Sequence, residues 1–193
     1  TNRNLYASKE PIIRVLIAKE KNLRIRSNGR IPFVLKNKEF SNKNVRGITI
    51  RQVANSTKLY FDSNKSKIYE IKGNNRLTLK SFDKKGIWVG GKRYSGLLNI
   101  INLDNQIFVV NILGIENYLS SVVGSEMPHK WPLEALKAQA IASRTYVLKK
   151  TGNNIYDIDS TQKDQVYNGL ESKTYKTSKA VKLTRSLVIT NKN

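Results

Sequence analysis

The chain has 193 residues, enough for one substantial hydrophobic core, and 39% of them are hydrophobic. No apolar run approaches the roughly 18 residues that a membrane-spanning helix needs. The absence of cysteine excludes disulfides, thiolate metal sites and cysteine nucleophiles. The formal net charge is +21, from 35 Lys and Arg against 14 Asp and Glu. A charge of this size predicts a polyanionic partner, such as a nucleic acid, an anionic membrane face or a cell-wall polymer.

Two interpretations of the positive charge stay open. An A/T-rich coding sequence would raise Lys and Asn together without any selection for binding, and Asn is also common here. The cations are spread along the chain and do not form one basic stripe. No RNP aromatic motif, zinc-finger spacing or GXXG loop accompanies them. We therefore expect no dedicated nucleic-acid binding.

The first part of the chain, residues 11–112, has the pattern of β structure. Short runs rich in β-branched and aromatic residues alternate with Gly, Asn and Asp clusters. The runs are IIRVLIA, LRIRS, GITIRQV, KLYFD, KIYEIKG, RLTLKS, GIWVGGKRYSG, LNIINL and IFVVNIL. The segment Asp104–Gln106 predicts a turn that joins the last two runs in a hairpin. We interpret residues 1–112 as a β-rich lobe without a catalytic constellation.

A helical pattern begins at Gly114. Apolar residues recur at i, i+3, i+4, i+7 and i+8 in IENYLSSVV, which predicts an amphipathic helix. Gly124 follows as the expected C-terminal cap of that helix. The next segment, SEMPHKWP, contains a glutamate, Glu126, between this glycine and a proline.

A second helix is predicted over Leu133–Lys149, with Pro132 suited to its first turn. Two of its stripes carry only small or apolar residues and an occasional Ser or Tyr, so we expect this helix to be buried on most sides. A short helix near 172–184 and a strand at 187–190 should follow.

Lys137 and Arg144 stand out on this second helix. They are seven residues apart and therefore lie on one face, two turns from each other. One interpretation is a solvated edge on which Glu134 pairs with Lys137. The other is a cationic cleft wall with Glu126 at the mouth. The residues alone leave both open.

The stretch NILGIENYLSSVVGSEMPHKWPLEALKAQAIASRTYVL closely resembles the SpoIID/LytB family, through its motifs NYL, SEMP, WP, EALKAQA and SRTY. The resemblance continues in DQVYNG and AVKLTRSLVIT and spans about residues 97–190. It implies an α+β fold in which the β-rich lobe is followed by a helical catalytic core, residues 113–193, that carries the active-site loop. Because family members continue with a further strand and a Ser/Gly-rich segment, we expect this core to be C-terminally truncated.

The activity that the resemblance implies is that of a peptidoglycan lytic transglycosylase. Such an enzyme cleaves the bond between N-acetylmuramic acid and N-acetylglucosamine and leaves a 1,6-anhydro-muramic product. Matched by motif, Glu126 would be the one catalytic acid and base, so that the second carboxylate of ordinary glycosidases is not needed. Met127 and Trp131 should give this acid apolar surroundings.

Lys137 and Arg144 match basic residues of the family's cleft. We expect them to bind the lactyl carboxylate or acetamido groups of the substrate, or to order the loop, and not to pair tightly with the acid. The further residues expected to bind substrate or to support the site are Ser125, Gln139, Gln165 and Tyr167.

Metal and cofactor sites are not predicted. His129 is the single histidine, and one histidine builds neither a triad nor a metal site, so we expect it on an exposed loop. The spacing of Asp157, Asp159 and Asp164 matches no EF-hand loop.

Two alternatives to glycan cleavage stay open. The first is a non-catalytic cell-wall binder that stimulates an amidase, as the LytB branch of the family implies. The second is a basic polyanion-binding module without chemistry. The expected partners are peptidoglycan glycan strands, with other cell-wall hydrolases as further candidates. We expect an extracytoplasmic location, reached by secretion or through an anchor outside this chain.

Overall fold

Strands dominate the chain up to residue 114 and helices after it, as a computed structural model shows. The structure describes residues 10–27, 33–36, 41–54, 56–72, 76–80, 85–150 and 152–191. Within them are thirteen strands in two sheets and three α-helices, so the predicted α+β class is confirmed.

The strands follow the predicted β-rich runs closely. Their bounds are β1 Ile12–Glu20, β2 Asn22–Arg26, β3 Phe33–Lys36, β4 Ser41–Val45, β5 Gly47–Val53, β6 Ser56–Phe61, β7 Asn64–Lys72, β8 Leu77–Lys80, β9 Ile87–Val89, β10 Lys92–Tyr94, β11 Leu97–Leu103, β12 Gln106–Gly114 and β13 Ile158–Asp159. Three of them, β3, β4 and β13, were not predicted. The last residues of the runs KIYEIKG and RLTLKS lie outside the described residues.

The predicted hairpin between β11 and β12 is confirmed. Asp104 and Asn105 both have a positive φ, 50° and 55°, and Leu103 pairs with Gln106 across the turn. Asp and Asn tolerate this left-handed backbone better than other residues with a Cβ, and two such residues in a row twist a hairpin in the favoured sense.

The two sheets share one hydrophobic core. The seven-stranded sheet has the order β13-β1-β12-β11-β8-β3-β4, and the six-stranded sheet has the order β10-β9-β2-β5-β6-β7. One contiguous cluster of buried side chains contains Val15 and Ile50 from the two sheets together with Val122, Leu136 and Val181 from the three helices. The helices therefore pack on the same core as the strands.

The helices are α1 Ile115–Glu126, α2 Leu133–Lys149 and α3 Tyr175–Leu183, and a 3₁₀ turn covers Gly169–Glu171. No helix in the described part of the chain is both long and apolar enough to cross a membrane. The predicted short helix near 172–184 is present, and Thr174 begins it with a capping box to Thr177.

The predicted cap at Gly124 is wrong. Helix α1 continues for two residues beyond it, and Met127 is the cap residue. A Cβ at Gly124 would lie 2.0 Å from the carbonyl oxygen of Ser172. The glycine therefore permits close packing of α1 against the segment after the 3₁₀ turn and does not end the helix.

Two further predictions are wrong. The helix α2 is buried on one face only, through Leu136, Ala140, Ser143, Arg144 and Val147, while Ala138 and Ala142 on another stripe are exposed. Residues 187–190 do not form a strand, because this segment runs past α2 without a sheet neighbour, and its Ile189 N–H donates to the Thr145 hydroxyl at 2.9 Å.

Candidate active-site cleft

A cleft of about 350 Å³ opens between α2 and the loop of residues 160–168, at the end of α1. It is lined by Glu126, Gln139, Ala142, Ser143, Tyr146, Asp164 and Gln165. The small side chain of Ala142 leaves the space open, and the remaining lining groups are a hydroxyl, a phenol, two amides and two carboxyls. This is the composition of a site for a polar, uncharged ligand such as a sugar.

Glu126 is the last residue of α1 and is exposed to solvent. Its Oε1 accepts a hydrogen bond from the Val166 N–H at 2.7 Å, which fixes the carboxyl against the 160–168 loop. Its Oε2 has no hydrogen-bond partner among the residues that the structure describes. One oxygen of the carboxyl is thus held by the protein and the other is free to meet a ligand.

The position of Glu126 is electrostatically unfavourable for the helix that carries it. The C-terminal end of an α-helix carries partial negative charge, so a carboxylate there destabilises the helix by about 0.3–1 kcal/mol. Glu126 therefore has no stabilising role of the kind that an acid at a helix start has.

Gln165 is oriented by a buried tyrosine. The Tyr118 hydroxyl donates to Gln165 Oε1 at 3.1 Å, and both residues are buried. Burial is the main reason why the pKa of Tyr118 lies far above its ordinary value, so this phenol keeps its proton and can donate. With Oε1 occupied, the Nε2 amide group has no partner in the described chain and lines the cleft.

Asp164 is the second carboxyl of the cleft, and both of its oxygens are occupied. Oδ1 accepts from the Tyr146 hydroxyl at 2.8 Å and forms an ion pair with Lys150, and Oδ2 accepts from the Asp159 N–H at 2.8 Å. Burial raises the pKa of Asp164, but these hydrogen bonds and the Lys150 charge lower it by more, so the pKa lies below its ordinary value. Asp164 is therefore a charged anchor of the loop and a weak base.

Helix α2 contributes its polar groups to the cleft from one stripe. Gln139 Nε2 donates to the Ser143 hydroxyl at 3.1 Å, one turn further on. Ala142 and Tyr146 continue the same wall toward Asp164. The spacing of i, i+3, i+4 and i+7 from Gln139 was visible in the sequence, and it could have identified Ser143 and Tyr146 as wall residues.

Ser125 lies behind the cleft. Its hydroxyl is 2.8 Å from that of Ser172, and the Asn168 side-chain amide donates to it at 3.2 Å. It therefore joins α1 to the segment around the 3₁₀ turn and supports the loop that holds Glu126.

Arg144 does not line the cleft. Only 2% of its surface is exposed, and its guanidinium donates twice to the Glu116 carboxylate, at 3.1 and 2.8 Å. It also donates to the carbonyl oxygens of Val181 and Leu187, at 3.4 and 3.1 Å. The cationic-wall interpretation is wrong for this residue, because Arg144 joins α1, α2, α3 and the segment after α3.

Lys137 and Tyr167 are also turned away from the cleft. Lys137 pairs with Glu134 at 2.9 Å, as the solvated-edge interpretation has it. Tyr167 is 2% exposed, and its hydroxyl donates to Asn111 Oδ1 at 2.8 Å, so its ring cannot stack on a sugar. Side chains of the 160–168 loop point to the cleft at Asp164 and Gln165 and to the core at Tyr167, and the motif DQVYNG does not indicate which of them does which.

The remaining candidates have separate positions. His129 is exposed, Met127 packs against the core, and Trp131 is 48% exposed. Asp157 pairs with Arg14 at 2.6 Å, and Asp159 accepts from the Thr161 N–H. In the described ranges, no group of three or more His, Asp or Glu residues is arranged for a metal ion.

The part of the chain that forms the cleft matches known proteins. Residues 103–191 match the SpoIID family, described as stage II sporulation protein. The amidase enhancer of Bacillus subtilis is 46% identical over 71 residues, which are 37% of this chain and 10% of that protein. Stage II sporulation protein D of Bacillus subtilis is 33% identical over 102 residues, which are 44% of this chain and 30% of that protein.

A further relative is an uncharacterised protein of Brachyspira hyodysenteriae, 43% identical over 104 residues, which are 52% of this chain and 28% of that protein. The chain thus spans less than a third of the length of each of these relatives. No solved structure matches the chain significantly.

Proposed function

Because residues 103–191 make this chain a member of the SpoIID/LytB family, we propose that it is a peptidoglycan lytic transglycosylase in which Glu126 is the catalytic acid and base. The observation that carries the proposal is the state of the two carboxyl groups in one cleft. Glu126 has a free oxygen, whereas every oxygen of Asp164 is occupied. Of the two carboxyl groups that line the cleft in the described part of the chain, only that of Glu126 is therefore available for proton transfer.

The chemistry needs no more than that carboxyl. A proton on Glu126 Oε2 passes to the glycosidic oxygen, and the bond from that oxygen to C1 of N-acetylmuramic acid breaks. The muramic 6-hydroxyl then attacks C1 and returns its proton to Glu126. The products are a 1,6-anhydro-muramic end and a free hydroxyl on N-acetylglucosamine. No water is consumed, and the acid is regenerated.

Asp164 argues against ordinary hydrolysis. A hydrolase with two carboxyls needs the second one as a nucleophile or as a base for water. Asp164 accepts hydrogen bonds from the Tyr146 hydroxyl and the Asp159 N–H and pairs with Lys150 instead, and its lowered pKa makes it a poor base. We assign to it the role of holding the 160–168 loop, and with it the Val166 N–H, against Glu126.

The amide of Gln165 gives the cleft a donor for the substrate. Its Oε1 is occupied by Tyr118, so the Nε2 hydrogens are available for a carbonyl or hydroxyl oxygen. Leaving a buried amide unpaired costs about 1–3 kcal/mol, which a bound acceptor would recover. An N-acetyl carbonyl of the glycan is such an acceptor, and we propose that Gln165 binds it.

A second candidate function is stimulation of an amidase without cleavage. The 46% identity to the amidase enhancer of Bacillus subtilis favours it. Either function requires access to peptidoglycan, so we propose an extracytoplasmic location for both.

Digestion of purified glycan strands, with and without stem peptides, separates these functions. Mass spectrometry of the products should find anhydro-muramic ends, each lighter by one water than a reducing end. Reducing ends would point to hydrolysis and would refute the assignment of Asp164. Intact strands that nevertheless bind the protein would favour the enhancer.

A further inference from the structure

The outer face of the six-stranded sheet carries cations that are scattered along the sequence. Strands β2, β5 and β6 point Leu and Ile side chains into the core and alternate them with outward polar residues. We call the outward set the cationic face, and it consists of Arg24, Arg26, Arg51, Lys58 and Arg93. These residues lie on four strands of the sheet, β2, β5, β6 and β10, and antiparallel pairing brings them together.

The strand register places them on one side of the sheet. Trp88 lies opposite both Arg26 and Arg93, and Arg51 lies opposite Lys58. Directly opposed residues in antiparallel strands share a face. The cations extend from β10 through β9, β2 and β5 to β6, which is four strand spacings or about 19 Å.

Two aromatic rings hold the guanidinium groups in place. Arg26 and Arg93 lie over the Trp88 ring, at 4.6 and 5.3 Å from its centroid, and Arg51 lies over the Tyr60 ring at 5.2 Å. Stacking orders an arginine without using its N–H donors, so those of Arg26 and Arg51 remain free for an oxyanion.

The face carries more positive than negative charge. Arg24 pairs with Asp62 at 3.0 Å and Arg93 with Glu171 at 2.6 Å. Arg26, Arg51 and Lys58 have no ion pair with any carboxylate of the described chain, although Glu70 lies on the neighbouring strand opposite Lys58. Three cations are thus available to a ligand.

We propose that the cationic face binds a linear anionic polysaccharide through repeated oxyanions, as a second site beside the cleft. A span of about 19 Å exceeds one oxyanion and suits a chain that presents several of them. Arginine forks match carboxylate and phosphate groups alike, so the shared chemistry is an oxyanion on a flexible sugar polymer. The proposal concerns binding alone and does not depend on cleavage by Glu126.

Other macromolecules suit this face less well. Its rings are stacked against guanidinium groups and are not offered to bases, and a sheet face has no protruding helix to enter a groove. A bilayer would require several large apolar side chains to insert, but on this face β2 presents only Asn and Arg, and Val53 is the one apolar side chain that β5 adds to Thr and Arg.

A mechanical link joins the two sites. Arg93 pairs with Glu171 in the 3₁₀ turn, and the next residue, Ser172, contacts Ser125 beside Glu126. The cationic face is therefore connected to the cleft through the segment around the 3₁₀ turn.

Binding to polygalacturonate and to poly(glycerol phosphate), as carboxylate and phosphate probes, tests the proposal. The triple variant Arg26→Gln, Arg51→Gln and Lys58→Gln should weaken binding of at least one probe about tenfold, since three exposed ion pairs are lost. The matched control is Lys149→Gln, Lys179→Gln and Lys182→Gln, which removes the same charge from exposed lysines of α2 and α3. It should weaken binding less than about threefold.

Equal losses in both triple variants would show that only net charge matters and would overturn the proposal. So would failure of the wild type to bind either probe. Tighter binding of duplex DNA or of phosphatidylglycerol vesicles than of both polysaccharides would assign the face to another partner. Cleavage of a short peptidoglycan oligosaccharide that fills the cleft alone, measured in parallel, should be unchanged in the first triple variant.

Discussion

Glu126 is the last residue of α1, at the helix end where a carboxylate is electrostatically unfavourable. The hydrogen bond that its carboxyl accepts comes from the backbone of the 160–168 loop. Neither feature contributes to folding in the way that a capping acid does. The same loop places Gln165 and Asp164 at the cleft, and a buried phenol and a lysine decide how each can act. The chemistry of the cleft therefore depends on partners that lie outside it.

The Asp164 network predicts a pH-dependent stability. The pKa of Asp164 is lowered in the folded protein, so its contribution is present above the unfolded carboxyl pKa of about 3.9 and is lost as pH falls through the folded pKa. Thermal melts of the wild type and Asp164→Asn should differ by a constant amount between about pH 5 and 8, and the difference should shrink as the pH falls below the unfolded carboxyl pKa of about 3.9 toward the lower pKa of the folded protein. A difference that persists unchanged at low pH would show that Asp164 acts through its shape and not its charge.

Among the elements, α1 is held by a glycine that the sequence pattern misassigned. Gly124→Ala should destabilise the fold, because the new methyl group would meet the Ser172 carbonyl oxygen at 2.0 Å. Overpacking of this kind costs about 1–3 kcal/mol and outweighs the gain of about 1 kcal/mol in helix propensity. Denaturant unfolding measures the difference.

The control for this substitution is Gly91→Ala, where a Cβ would have no heavy atom within 4 Å. Its effect on unfolding should be small or stabilising. If Gly124→Ala were as harmless as Gly91→Ala, the close approach of α1 to Ser172 would not be a constraint.

The contacts of Arg144 predict a structural role at the junction of the three helices. Arg144→Ala leaves Glu116 without its partner and should cost about 3 kcal/mol, or about 6–12 °C in Tm. Lys92→Ala, at an exposed position in β10, should stay within about 0.5 kcal/mol. An Arg144→Ala protein that is stable but binds glycan more weakly would contradict the structural role and would support a role of Arg144 in the cleft wall.

The sequence predicted regular elements better than it predicted which side of them faces the core. Alternation and helical spacing identify α1, α2 and most strands, because burial of one face dictates those periods. Arg144 shares a stripe with Glu134 and Lys137, yet it is buried, because Glu116 and two carbonyl groups from other elements neutralise and solvate it. Such tertiary partners leave no local signal.

Composition also failed to predict which short segments form strands. Strand β13 has two residues and exists because it pairs in parallel with Val15 and Leu16 of β1. Residues 187–190 have strand-like composition but find no neighbouring edge, and they pack along α2 instead. Strand formation here depends on a partner and not on propensity.

For the molecule as a whole, the shared core predicts cooperative unfolding. Buried residues of both sheets and all three helices form one cluster, so the β-rich part and the helical part should unfold together. In a Trp131→Phe variant, fluorescence of Trp88 reports on the six-stranded sheet alone, and circular dichroism reports on the helices. Coincident denaturant midpoints are expected. Separate midpoints would show that residues 1–112 and 113–193 are independent domains.

The central claim is that Glu126 transfers the proton in glycan cleavage, and Glu126→Gln tests it most directly. The amide keeps an acceptor for the Val166 N–H but cannot donate and retake a proton, so turnover should fall about 10²–10⁴-fold while glycan binding persists. Stability should be unchanged or slightly higher, because a charge is removed from a helix C-terminus. The control Glu134→Gln, on the exposed side of α2, should retain full activity. Cleavage of glycan strands by Glu126→Gln at the wild-type rate would contradict the account.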